Sequence, residues 1–213
     1  LYQCQMGKQT MSIPYYNFPF RCDNKSYRIL FPQAPIVRTR VYEQYGFDYY
    51  PYGTNAVVAV LAYTGYDMED AMIINKSAYE RGFGHGCVYK TKTKVLNEKV
   101  GFHSSNSLIY RLLNCKRNPD DLTMFKNALR GQKIPDYIDL EDGLPYIDTY
   151  LTQGMIEMVY VDCQKRTCVI KYYKDIEPAH IDQIRVFSNE KDIFEISITI
   201  KYRYNRNPII GDK

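Results

Sequence analysis

The chain has 213 residues, enough to bury a sizeable core in one large domain or in a small domain carrying an insertion. It carries 28 Lys and Arg against 24 Asp and Glu, a formal charge of +4 that is compatible with nucleic acid but common among inert proteins, so charge alone selects no partner class. The apolar runs fall far short of a membrane span, and Leu1-Tyr2-Gln3-Cys4-Gln5 lacks the basic region and apolar stretch of a signal peptide, so the expectation is a soluble chain with no membrane partner.

Residues 1–31, punctuated by Pro14 and Pro19 and closed by Pro32, read as an irregular arm. Ile36 to Tyr42 has β-branched, strand-like content, and Ala56-Val57-Val58-Ala59-Val60-Leu61-Ala62-Tyr63, opened by Gly53-Thr54-Asn55, reads as a strand buried on both faces. Ser77-Ala78-Tyr79-Glu80 has the form of a capping box and predicts one short helical turn, stopped by Gly82. Cys87 to Val95 alternates, with Val88, Lys90, Lys92 and Lys94 on one parity, as an exposed strand would. From Asn97 to Ser188 the texture is mixed: a helix with Leu122, Phe125 and Leu129 on one face, then hairpin strands around Met155 to Asp162 and Thr167 to Tyr173. The run from Phe194 to Arg203 is the clearest alternating strand, with Ile196, Ile198, Ile200 and Tyr202 facing a core.

Six cysteines are scattered without the rhythm of a secreted scaffold, which predicts a reducing compartment and no disulfides. Cys163 and Cys168 resemble half a metal knuckle, but Gln164-Lys165-Arg166-Thr167 reads as a hairpin turn and no second cysteine pair completes a tetrahedral site, so zinc is not expected. The 22 tyrosines, with no tryptophan, suit half-buried strands and could also stack on bases. His85 stands among turn glycines without a partner acid, and His103 and His180 lie in no motif. The chain opens at Leu1 and stops just as a glycine turn begins at Gly211-Asp212-Lys213, so it reads as a piece of something longer.

The most informative stretch is Gly65-Tyr66-Asp67-Met68-Glu69-Asp70-Ala71-Met72-Ile73-Ile74-Asn75, in which two adjacent carboxylates sit between a glycine turn and an apolar run. Adjacent carboxylates can ligate a metal, organise cations, or simply cap and charge the start of a helix, and on residues alone the capping reading of Asp67 and Asp70 prevails. The segment from Gly53 to Gly82, however, closely resembles the second-largest subunit of multisubunit DNA-directed RNA polymerases. That resemblance implies that Glu69 and Asp70 lie near the nucleotide-borne magnesium of a two-metal site. Phosphoryl transfer is catalysed chiefly by positioning and charge neutralisation, and magnesium prefers carboxylate and phosphate oxygens. In the family the permanent Mg2+ is held by an aspartate-rich loop of the largest subunit, so the pair here would assist catalysis rather than perform it.

Met6-Gly7-Lys8-Gln9-Thr10-Met11 resembles the family stretch whose glutamine contacts RNA near its 3′ end; Gln9 takes that role by resemblance, with Lys8 beside it. A glutamine amide both donates and accepts at sugar or phosphate without reading a base. Asn207-Pro208-Ile209-Ile210-Gly211-Asp212-Lys213 resembles the family's strand end, glycine turn and lysine, which makes Lys213 a catalytic and nucleotide-binding candidate acting as a compact positive charge on phosphate. Glu141-Asp142-Gly143-Leu144-Pro145 resembles a family turn, and Asp-Gly accounts for it without further chemistry. Ser12-Ile13-Pro14 departs from the glycine that the family commonly has after the methionine.

The resemblance implies a mainly β fold with an α+β insertion, part of a double-psi β-barrel. The expected boundaries are residues 1–96 for an arm and the first part of the barrel, 97–188 for a wall-like insertion, and 189–213 for a returning barrel strand. Residues 2–11 and 67–77 look most like RNA polymerase I among the nuclear enzymes, with the RNA polymerase II and III paralogues left open. The implied partners are the largest subunit and other polymerase subunits, template DNA, nascent RNA and an incoming NTP, in the nucleus and its nucleolus. An isolated chain without the permanent metal ligands would make no RNA. Two rival readings stand beside this one: a non-catalytic β domain in which Lys90, Lys92, Lys94 and the tyrosines bind single strands, and a structural assembly piece whose acids are caps.

Overall fold

Extended, β-branched runs that find partner strands account for most of the regular structure. The computed structural model describes residues 17–60, 65, 71–97, 109–189 and 192–212. They contain eight strands, namely β1 (Lys25–Ile29), β2 (Gly86–Leu96), β3 (Tyr110–Leu112), β4 (Tyr150–Leu151), β5 (Ile156–Asp162), β6 (Thr167–Tyr172), β7 (Ala179–Asn189) and β8 (Asp192–Arg206). Three short α-helices accompany them, α1 (Arg40–Gln44), α2 (Lys76–Glu80) and α3 (Pro119–Ala128), with single 3-10 turns at Phe18–Phe20 and Phe47–Tyr49. The fold is therefore mainly β, as expected. The chain divides into two compact units, Leu1–Tyr89 with Asn205–Lys213, and Lys90–Tyr204.

In the second unit β8 lies between β2 and β7, and β4 borders β7, while β5 is the middle strand of a separate three-stranded sheet with β3 and β6. The β5–β6 hairpin pairs Val161 with Cys168 and Asp162 with Thr167. Its turn is closed by Asp162, whose Oδ1 accepts the Gln164 and Lys165 N–H groups, and Arg166 adopts φ 51°. The stretch between Cys163 and Cys168 is thus a turn, as its sequence indicates. Burial holds the Cys168 thiol up at about 11, so it packs as a protonated apolar group.

Helix α3 begins with Pro119 at its first turn and with Asp120 and Asp121 where the helix dipole favours negative charge. It delivers Phe125, with Leu129 at its C-cap, to a core with Leu113, Ile138, Ile156, Val159 and Val161 from the hairpin sheet and its loops, whereas Leu122, expected on the same face, is half-buried and lies outside that core. The Glu141–Pro145 turn packs into the same sheet: the Val159 N–H donates to the Gly143 carbonyl at 2.8 Å, and Gly143 holds φ 77°.

Strand β8 buries Ile198, Ile200 and Tyr202 as expected, but its other parity is covered too. Ser197, Thr199 and Lys201 are buried, Thr199 Oγ1 lies 3.1 Å from Thr93 Oγ1, and Lys201 pairs with Asp182 at 3.4 Å. Polar residues on a strand mark solvent only when the sheet has one open face. For the same reason the expected exposed strand at Cys87 to Val95 is half correct. β2 forms, but Cys87, Val88 and Tyr89 are buried and only its middle is open.

In the first unit three expectations fail. Residues 1–31 are not all irregular, because β1 pairs beside β2 and the Leu30 N–H donates to His85 O at 3.0 Å; residues 1–16 lie outside the described residues. Ile36 to Tyr42 is not a strand. Thr39 caps α1 by accepting the Tyr42 N–H, and Arg38 is tied to Asp48 at 2.6 Å, which turns the chain before any ladder forms. The apolar run from Ala56 is not a buried strand either: residues 51–60 have no regular structure, and Val57, Val58 and Val60 are exposed. Asn55 anchors the base of this run, donating from its amide group to Ala34 O and from its backbone N–H to Gln33 Oε1, but β propensity does not make a strand without a partner ladder. The rest of that run, residues 61–64, lies outside the described residues. Helix α2 does form before Gly82, with Asn75 as its cap, accepting the Ala78 N–H at 3.0 Å, rather than Ser77.

Candidate functional site

The residues to which the resemblance assigns chemistry, Lys8, Gln9, Glu69, Asp70 and Lys213, all lie outside the described residues, as do Asp67 and His103. Their neighbours in the chain are described. Gly65 adopts φ 70°, a left-handed conformation that glycine enters without steric cost. Ala71, Met72 and Ile73 are exposed and lead to the capped start of α2. On this side the chain offers an open apolar stretch and then a fixed helical turn.

The segment before Lys213 is more tightly built. β8 ends at Arg206, and Pro208 is buried while Ile209 and Ile210 face outward. The Asp212 N–H donates to Ile209 O at 3.1 Å, and the Ile209 N–H donates back to Asp212 Oδ2 at 3.0 Å. Arg206 Nη2 reaches the other carboxylate oxygen, Oδ1, at 3.3 Å. Gly211 supplies the φ of 93° that the turn needs. One carboxylate therefore fastens the end of a strand to the loop that leaves it. In the sequence Asp212 stands out only as part of a motif, and its one local signal is an Arg six positions before it, on the other side of Pro208.

The lysines of β2 have a different setting, within the second unit. Lys92 Nζ donates to Asp175 Oδ2 at 2.7 Å and lies over the rings of Tyr173 and Tyr202. Asp175 also accepts from Tyr204 OH at 3.1 Å, and Tyr204 OH stands 3.1 Å from Tyr173 OH, which donates to Glu177 O. Tyr202 OH donates to Glu157 at 2.6 Å. Lys90 pairs with Glu177 and lies 4.2 Å from the Tyr204 ring centre. The Lys92 hydrogen bond holds the Asp175 carboxyl below its ordinary range against partial burial. Burial, reinforced by the neighbouring carboxylates, pushes the Tyr202 and Tyr204 hydroxyls well up. Partial burial, with Lys171 nearby, lowers Lys94.

Lys90 and Lys92 therefore already have anionic partners, and a phosphate would have to displace those carboxylates first. That counts against the reading in which these lysines and tyrosines form a single-strand platform. His85 packs edge-on to Tyr79, and His180 lies 3.5 Å from Asp148 Oδ1 and against Tyr150; among the described residues neither belongs to a catalytic arrangement. A cleft of about 880 Å3 opens beside Ile134, Pro135, Leu140 and Tyr146, and its rim lysines Lys116 and Lys133 are paired with Glu141 and Asp136.

Comparison with known proteins gives this geometry its context. Residues 1–213 match the family described as RNA polymerase Rpb2, domain 6. The chain is 48% identical to the DNA-directed RNA polymerase I subunit RPA2 of Euplotoides octocarinatus, over all of this chain and 18% of that protein. It is 45% identical to subunit RPA135 of the same enzyme from Saccharomyces cerevisiae and 43% identical to human RPA2, in each case over the whole chain and 17% of the relative. The chain thus spans less than a fifth of the length of these relatives, and the resemblance carried by its separate motifs extends over all of it. By this full-length match the chain belongs to the RNA polymerase Rpb2 domain 6 family.

Proposed function

We propose that this chain forms part of the active centre of a eukaryotic DNA-directed RNA polymerase I, in the nucleus and its nucleolus, and contacts the RNA 3′ end, the DNA–RNA hybrid and the incoming NTP. The observation that carries this reading is the full-length similarity to RNA polymerase I subunits at 43–48% identity, with the Glu69-Asp70 and Gly211-Asp212-Lys213 motifs present. In this reading the core is part of a double-psi β-barrel, with residues 97–188 as a wall-like insertion. The partners are the largest and other polymerase subunits, template DNA and nascent RNA. The similarity favours RNA polymerase I over the RNA polymerase II and III paralogues.

Glu69 and Asp70 offer hard carboxylate oxygens, the donor type magnesium takes, but two side chains cannot complete an octahedral shell. They fit an ion that arrives with its own phosphate ligands and waters. Bound there, Mg2+ would neutralise charge on the transferring phosphoryl group. The chain's own contribution is placement: Gln9 and Lys8 hold the RNA end, Lys213 screens phosphate charge, and the acidic pair fixes the approach of the triphosphate. Isolated, the chain would lack the permanent metal ligands and make no RNA.

The test is replacement of Glu69 and Asp70 together by alanine in the full enzyme. Single-turnover nucleotide addition should slow by more than affinity for the DNA–RNA scaffold falls, because the pair acts on a partner present only with the triphosphate. An unchanged addition rate in a normally assembled enzyme would overturn the catalytic role of the pair.

A further inference from the structure

Every second residue of β2 from Lys90 to Lys94 is a lysine, and the three meet different surroundings. Lys90 pairs with Glu177 and Lys92 with Asp175, whereas Lys94 has no ion pair among the described residues and lies 5.4 Å from the ring centre of Tyr160 on β5. Residues directly opposite in a ladder share a face, as do residues two apart on one strand. Tyr160 is opposite Val169 and Met158 is opposite Lys171, so Lys171 stands on the same face of the hairpin sheet as the Tyr160 ring, on the diagonal from it. Lys174, two residues beyond β6, is exposed. Neither Lys171 nor Lys174 has an ion pair among the described residues.

The three ammonium groups act on one another. Partial burial first, then the charges of Lys171 and Lys174, lower the pKa of Lys94, and the Glu157 carboxylate alone works the other way. Glu157 is already engaged, because Tyr202 OH donates to its Oε1 at 2.6 Å. Asp175, next to Lys174 in the chain, is taken by Lys92 and Tyr204. Three cations thus face one committed carboxylate, an excess of positive charge that an arriving anion would relieve.

We propose that Lys94, Lys171 and Lys174 form a binding site for the phosphodiester backbone of nucleic acid, beside the self-neutralised lattice of Lys90 and Lys92. The inference rests on the reading of this chain as part of a polymerase that contacts DNA and RNA. All three charges are lysines, point charges on flexible stems that neutralise phosphate without a fixed geometry; a surface built to hold the carboxylates of an acidic peptide would favour the forked donors of arginine. The Tyr160 ring is buried under Lys94 and edge-on to Tyr110, so it is spent on packing and offers no face to a base. The contact is therefore with the backbone and blind to sequence. DNA and RNA present the same phosphodiester chemistry.

The experiment uses the complete polymerase carrying the Lys171→Gln/Lys174→Gln pair, the triple change with Lys94→Gln, the corresponding triple change to arginine, and Lys92→Gln as control. Scaffold affinity is measured across a salt series, on scaffolds with and without duplex DNA upstream of the hybrid and with short or long RNA. The triple glutamine variant should lower the slope of log affinity against log salt by about two to three, roughly one for each lysine, and the pair by about two. The arginine variant should restore the slope and Lys92→Gln should not change it. A difference that disappears with the upstream duplex identifies DNA as the ligand, and one that disappears with the shortened RNA identifies RNA; either supports the site. The parent slope on every scaffold overturns it. A parent slope together with loss of another subunit at raised salt assigns the patch to an acidic protein surface and equally overturns it. Should Lys94→Gln impair assembly, the Lys171→Gln/Lys174→Gln pair decides by the same measure. The catalytic reading is scored separately: a reduced slope here, with nucleotide addition unaltered by the Glu69 and Asp70 replacements, leaves this site standing while that reading falls.

Discussion

Arg111 and Asp121 meet through two hydrogen bonds of 2.6 Å each, Nη1 to Oδ2 and Nη2 to Oδ1, and Asp121 is fully buried. Asp121 Oδ2 also accepts the Asn114 N–H at 3.0 Å, so one carboxylate joins β3, the loop after it and the first turn of α3. Bidentate guanidinium pairing is the geometry in which a buried carboxylate is best compensated. Arg111→Ala should therefore leave an uncompensated charge and destabilise this region by about 3 kcal/mol. Hydrogen exchange of the β5 and α3 amides in the full-length subunit reads this directly, and protection equal to the parent would refute it.

The same carboxylate carries a pH dependence. Burial works against its charge, but the Arg111 hydrogen bonds and the Asn114 N–H outweigh it and hold its pKa below the ordinary value. A depressed folded-state pKa means that the folded form binds fewer protons than the unfolded one. Its stabilisation is thus present above the unfolded carboxylate pKa of about 3.9 and is lost as pH falls through the folded value. Asp142 has the opposite sign: burial raises its pKa against the Leu144 N–H, so its contribution declines as pH rises above about 4. Local opening around α3 should increase on acidification in the parent, and Asp121→Asn should flatten that dependence while Asp142→Asn does not. Identical acid profiles for all three proteins would remove Asp121 as the cause.

Gly143 is a position where backbone and packing agree on glycine. Its φ is 77°, and a Cβ there would collide with the Val159 carbonyl oxygen and stand 2.9 Å from Leu113 Cβ. Val159 belongs to β5 and Leu113 is fully buried in the core beside it, so neither can withdraw cheaply. Gly143→Ala should destabilise the hairpin sheet by about 2 kcal/mol or more, combining the positive-φ penalty with the forced shift of β5. Gly154→Ala is the control, because it shares a positive φ of 88° but meets nothing within 4 Å, and its cost should be about 1 kcal/mol. Equal effects at the two positions would show that packing at Gly143 adds nothing.

These contrasts mark how far the sequence was legible. The hairpin of β5 and β6, the apolar face of α3 and the Ile198-Ile200-Tyr202 parity of β8 were readable because their signals are local: a turn, a helical spacing and an alternation. Val57, Val58 and Val60 carry an equally clear apolar run, yet among the described residues no partner strand meets them. Strand formation depends on a ladder that local sequence does not supply. β7 was passed over because its alternation slips at the register shift between Ile181 and Gln183. At the candidate site, resemblance alone singled out Gln9, Glu69, Asp70 and Lys213, since isolated acids and lysines at turns have ordinary explanations. The clasp of Asp212 on Arg206 depends on loop geometry that neither residue type announces.

The lysines of β2 offer a last discrimination between a binding surface and a structural lattice. Lys92 is held by Asp175 at 2.7 Å and lies 5.3 Å from the Tyr202 ring centre and 5.7 Å from that of Tyr173, and Asp175 is shared with Tyr204. Removing the charge with Lys92→Gln breaks an ion pair and two ring contacts at once and leaves Asp175 with the tyrosine hydroxyl alone. If the lattice is structural, the substitution should weaken protection of the neighbouring β6 and β8 amides by about 1 kcal/mol. It should leave the salt dependence of scaffold binding by the full enzyme unchanged, because a lysine already neutralised by a carboxylate releases no counterion when nucleic acid binds. A lysine that serves a phosphate would behave in reverse: the slope of log affinity against log salt would fall by about one for the lost contact, with amide protection untouched. That second pattern would restore the single-strand reading of this face.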